Sequence, residues 1–109
     1  AKLLENAQAR GAQLQAGLKE LQKRHALIGD VRGLGLMVGA ELVTSREALT
    51  PAATEVDEIL EKMKDRGILV GKNGENRNVL AMQPPLVITE EDVVFFLQNL
   101  DEVLSEVAN

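Results

Sequence analysis

The residues that could do chemistry are few. The only histidine, His25, follows Lys23 and Arg24 in a polar run, and there is no cysteine. A zinc site of the usual kind therefore lacks its ligands. A Ser-His-Asp arrangement would have to use His25, and neither Ser45 nor Ser105 has a nucleophile motif around it. At the end of a helix, His25 reads as a solvated C-terminal residue. The run Gly33-x-Gly35-x-x-x-Gly39 invites a phosphate loop, but the dinucleotide fingerprint needs glycine where Val38 stands and a helix afterwards. A strand pattern continues instead, which makes this a structural turn. Gly71-Lys72-Asn73-Gly74 has the Gly-Lys pair without the rest of a Walker A pattern, and reads as a surface loop. Glu55, Asp57, Glu58, Glu61 and Asp65 form the solvated face of a helix, and Glu90-Glu91-Asp92 suit the dipole at a helix start. No carboxylates stand at calcium-loop spacing. No catalytic residue and no metal ligand are assigned.

The elements that must position any site follow from periodicity. Residues 2 to about 25 place Leu3, Ala7, Leu14, Leu18 and Leu21 on one helical stripe, and Gly11 on the same stripe predicts close approach of a neighbour. From Leu27 to Val43, β-branched residues punctuated by glycines predict two strands turning near Gly33, or one strand with a bulge there. Thr50-Pro51 predicts a helix start, with Val56, Ile59, Leu60 and Met63 as its apolar stripe and Gly67 as its stop. Ile68-Leu69-Val70 and Val79 to Met82 read as short strands around a loop, Gly71 to Asn78. Thr89 caps a last helix with Val93, Phe96, Leu97, Leu100, Leu104 and Val107 on its stripe. The fold class is α+β: a small, mostly antiparallel sheet with helices packed on one face, in the order αββαββα.

Composition sets the partners. The 109 residues make one domain, and their formal charge of −5 repels phosphate backbones and anionic headgroups. Aromatics are 2% of the chain, which leaves little to stack bases on. Neither nucleic acid nor membrane is an expected partner. No basic segment followed by an apolar stretch opens the chain, so no secretory signal is read and the cytoplasm is expected.

Gly29-Asp30-Val31-Arg32-Gly33-Leu34-Gly35-Leu36-Met37-Val38-Gly39-Ala40-Glu41-Leu42-Val43 strongly resembles the opening of the C-terminal small domain of class III aminotransferases. Gly67-Ile68-Leu69-Val70-Gly71-Lys72, Asn78-Val79-Leu80 and Pro84-Pro85-Leu86-Val87-Ile88-Thr89 follow in the family's order. The segment around Lys72 is most similar to the alanine–glyoxylate branch, with the ornithine and 4-aminobutyrate branches close behind. The resemblance implies a pyridoxal phosphate enzyme whose large domain, with the cofactor and its lysine, precedes this chain. Residues 1–26 would be a linker helix from that domain, and 27–109 the sheet and its covering helices. It also implies a small amino or keto acid substrate and a homodimeric parent. The chain alone would bind no cofactor and would not be a catalyst.

In that family an arginine that grips the substrate carboxylate stands where this sequence has Ala81. The departure leaves three explanations: a substrate held another way, a non-transaminase member of the family, or a changed residue. Arg77 is the only nearby arginine that could reach in, and Arg32 reads as a structural pairing residue. The alternative function is a stand-alone module for small-ligand binding or dimerisation. On the aminotransferase reading, the first helix is short of partners and exposes an apolar patch along Leu3, Leu14 and Leu18.

Overall fold

The leucine spacing of the first segment becomes α1 (Lys2–Arg24), which buries Ala7, Leu14, Leu18 and Leu21. The computed structural model describes residues 2–34, 37–73, 78–83, 85 and 88–108. After α1 come β1 (Ile28–Leu34), β2 (Met37–Ser45), β3 (Thr50–Pro51), α2 (Ala53–Asp65), β4 (Gly71–Asn73), β5 (Val79–Met82) and α3 (Glu90–Ala108). The strands form one antiparallel sheet in the order β1-β2-β5-β4, with β3 added to the end of β2.

The core lies between this sheet and the three helices. Val38, Ala40 and Leu42 of β2 and Leu80 and Met82 of β5 join Leu18 of α1, Ile59 and Met63 of α2, and Leu100 and Leu104 of α3. Each of these side chains except that of Ala40 contributes about 1.5–3 kcal/mol when taken from water. The expected α+β architecture, with helices and strands in the expected order, is what the chain adopts. The expected exposed patch on α1 is not: Leu14 and Leu18 are buried in the core, and only Leu3, with its neighbour Leu4, faces solvent.

Other departures have local causes. Thr50-Pro51 does not start the helix. These residues pair with Ser45 and Val43, and Ala52 N donates to Leu42 O at 3.1 Å, so α2 begins at Ala53. The close approach expected at Gly11 occurs at Gly17, against which the Leu97 side chain presses; open space surrounds Gly11. The β1–β2 reversal falls after Leu34, with Gly33 paired to Val38 inside the ladder. Residues 68–70 form no strand, because Ile68 N is taken by Met63 O (2.9 Å) and Gly67 N by Lys64 O (2.9 Å). That pair of bonds, with Gly67 at φ 81°, is a Schellman cap, and the ladder starts only at Gly71.

Side-chain clips hold the helices in register. Arg66 at the end of α2 reaches Asn99 (3.0 Å), Glu102 (2.6 Å) and Glu106 (2.9 Å) on α3. Its hydrogen bond to Glu102, helped by the charges of Glu102 and Glu106, raises the guanidinium pKa above its ordinary value against the opposing effect of desolvation, so the clip stays charged. Arg46 Nη2 donates to the carbonyls of Gln22 (2.5 Å), in the last turn of α1, and of His25 (3.1 Å), just beyond it. Thr89 and Asp92 exchange bonds of 3.0 and 3.1 Å at the start of α3, the reciprocal pattern of a capping box.

The same substitution should have opposite signs at two glycines. Gly11→Ala replaces a helix-interior glycine in open space and should stabilise the chain by about 0.5–1 kcal/mol. Gly67→Ala puts a side chain into the left-handed region and should destabilise by about 1–2 kcal/mol. Urea unfolding midpoints of the two variants and the parent sequence check both signs.

Candidate functional site

Side chains alternate along each strand, so the residues between the core positions point to the opposite face of the sheet. On β1 these are Asp30 and Arg32, on β2 Gly39 and Glu41, on β5 Val79 and Ala81, and on β4 Gly71 and Asn73. No helix of the described residues packs there. At one end, Arg32 Nη1 bridges Asp30 (2.9 Å) and Glu41 (3.5 Å), the pairing role read for it from the sequence. At the other end the residues become very small.

Ala81 stands at the centre of that end. Its ladder partners are Gly39 on β2 and Gly71 on β4, so three neighbouring strands carry between them one methyl group. A Cβ at Gly71 would lie 3.9 Å from the Ala81 Cβ, which confirms that both point the same way. A side chain much larger than alanine could extend over either glycine. The row is held rigidly. Asn78, buried just before β5, donates through Nδ2 to Leu42 O (3.0 Å), while its own carbonyl accepts from Leu42 N (2.8 Å).

Beside the end of β5 lies a cavity of about 450 Å³. Its walls are mainly apolar, with Ile68, Leu69, Ile88, Phe95 and Phe96 among them; Gln83 and Asp92 bring polar groups. Ala81 and Gly71 lie on its border. No lysine, arginine or histidine is among the described lining residues.

Of the two residues singled out for substrate contact, Ala81 occupies this border, and Arg77 lies outside the described residues. His25 is not solvated. It is buried, with Nε2 2.6 Å from Asp101 Oδ1, and Arg24 pairs with the same carboxylate at 3.1 Å. Ser105 Oγ donates to the Asp101 carbonyl (3.1 Å), an ordinary helical back-bond, and Arg24, His25 and Asp101 form a structural clip. Among the described residues no three His, Cys, Asp or Glu side chains could hold a metal, and no helix is long and apolar enough to cross a membrane. The sequence reading missed the Gly39–Ala81–Gly71 row. Its signal is the pairing of three strands, which spacing along one chain does not contain.

The comparisons identify the family. The family model for class-III aminotransferases matches residues 1–104. The mitochondrial alanine–glyoxylate aminotransferase 2 homolog 2 of Arabidopsis thaliana is 44% identical over 105 residues, covering 96% of this chain and 22% of its own length. A phospholyase from Arthrobacter, solved in complex with phosphoethanolamine, superimposes with a TM-score of 0.87 at 32% identity, over 94% of this chain and 24% of that one. An amine transaminase from an uncultivated Pseudomonas species, solved with pyridoxal phosphate bound, gives a TM-score of 0.81 at 31% identity, over 94% of this chain and 23% of its own. The chain thus spans about a quarter of the length of these proteins.

Ala81→Arg should be tolerated, since Gly39 and Gly71 leave room on both sides; its unfolding free energy should change by less than about 1 kcal/mol. Asn78→Ala, three residues earlier, removes one of the two donors to the Leu42 carbonyl, Ala52 N remaining, and should cost about 0.5–1.5 kcal/mol. Denaturant titration of the two variants separates a permissive position from a structural one.

Proposed function

Because the chain belongs to the class-III aminotransferase family, we propose that it is the C-terminal small domain of a pyridoxal phosphate enzyme and forms one wall of its substrate site. The observation that carries this is Ala81, placed on the helix-free sheet face between Gly39 and Gly71, at the position where the resemblance puts a substrate-gripping arginine. The residues described here do not fit the cofactor by themselves. An aldehyde needs an amine and a phosphate needs cations or donors, yet the cavity has no lysine or arginine among its described walls. Lys23, Lys62 and Lys72 are paired with Glu20, Glu106 and Asp57 away from it. The large domain therefore carries the cofactor in this reading, and the parent is a homodimer acting on a small amino or keto compound.

What this wall contributes is shape and the exclusion of water. Arginine would offer a planar fork that binds carboxylate in two places. Ala81 offers a methyl group and no charge, so the substrate is held here without a carboxylate clamp. Phosphoethanolamine in the Arthrobacter protein, and the amines implied by the name of the Pseudomonas protein, have no carboxylate to clamp. That favours an amine, or an amino compound whose anion is gripped by the large domain, as this parent's substrate.

The test uses the full-length protein loaded with pyridoxal phosphate. Amine and matching α-amino acid are compared by single-turnover loss of the cofactor's visible band. The unsubstituted protein should prefer the amine. Ala81→Arg should shift that preference toward the amino acid by about 10–100-fold, the worth of one charge-assisted bidentate contact. An unchanged ratio would remove Ala81 from the substrate wall.

A further inference from the structure

We infer that Gln83 is a specificity-determining residue of the proposed substrate wall, and that it selects amines whose far end carries an uncharged hydrogen-bonding group such as a hydroxyl. This rests on the reading of Ala81 as part of that wall. Burial alternates along the end of β5. Leu80 and Met82 are buried in the core, Ala81 is half-buried, and Gln83, the first residue beyond the strand, is exposed. The alternation brings Gln83 to the same face as Ala81, two residues further on. Both border the same cavity.

The chemistry of this border selects what Gln83 can hold. Ala81 and Gly71 offer no polar side chain there, so the carboxamide supplies its polarity. Asp92, the other polar side chain among the cavity's described walls, is already engaged: its Oδ2 accepts from Thr89 N at 3.0 Å. Among the described residues the Gln83 carboxamide has no hydrogen-bond partner, which leaves its two donors and its acceptor unspent. An anion beside it would find no lysine, arginine or histidine among the described walls and would face the Asp92 carboxylate. A wholly apolar group would strip the carboxamide of water and return no bond, which is how polar sites reject analogues that lack a hydroxyl. An uncharged group that can donate and accept meets neither penalty.

The test uses the full-length, cofactor-loaded protein and single-turnover loss of the visible band. Amino alcohols of graded chain length are each compared with the alkylamine and the ω-amino acid of the same length. At the best-fitting length the amino alcohol should react about tenfold faster than its alkylamine, and Gln83→Leu should erase that ratio. A change in stability alone would not move the ratio, because both substrates meet the same protein. A ratio near one in the unsubstituted protein at every length would overturn the inference, as would a preference that Gln83→Leu retains. A greater loss for the ω-amino acid than for the amino alcohol in Gln83→Leu would place an anion at this residue, and would overturn it too. Ala81→Arg, measured beside it, separates this inference from the proposed function. A shifted preference between amine and amino acid in that variant, with no effect at Gln83, overturns this inference and leaves the proposed function standing. No shift in either variant overturns both.

Discussion

The alternation of side chains along β2 is the constraint on which the rest depends. Val38, Ala40 and Leu42 face the helices, while Gly39 and Glu41 face away. β2 pairs with β1 on one side and β5 on the other, and it receives β3 at its end. A slip of one residue in either ladder would exchange core and outer face for a whole strand. The two bonds between Asn78 and Leu42 pin one of those ladders, and so fix which residue of β5 stands beside Gly39. Position 81 owes its place to this register.

The core and the Gly39–Ala81–Gly71 row are thereby separated onto two faces. The helix-facing side is closed by buried aliphatic side chains, each worth more than an exposed ion pair, whose contribution is typically about 0–1 kcal/mol. Arg66 and its carboxylates, and Lys62 with Glu106, steer the helices more than they hold them together. His25 with Asp101 is the more buried of the clips, and it ties the end of α1 to α3. Because none of this uses the outer face, that face can carry arginine, alanine or glycine without disturbing the core.

Much of the architecture was legible because strong periodicity and strong stops coincide. The α1 and α3 stripes, the Thr89 cap, the Gly67 stop and the span of β5 all follow from residue types at fixed spacing. Where the reading slipped, a tertiary partner outweighed a local preference. Thr50-Pro51 has helix-start chemistry but is captured by β2, and Ile68 has strand chemistry but is spent on the α2 cap. His25 looks solvated until Asp101, 76 residues away, is placed beside it. The candidate site was legible only through resemblance: an alanine announces nothing by itself, and its two glycine neighbours come from other strands.

The central claim is that this chain shapes a substrate wall while the cofactor is carried elsewhere in the polypeptide. Borohydride reduction of the full-length, cofactor-loaded protein, followed by peptide mapping, tests it most directly by fixing the cofactor to the lysine that holds it. The account predicts that the modified peptide lies outside these residues, with Lys62 and Lys72 unmodified. Modification of Lys72, or of any other lysine in this chain, would contradict it.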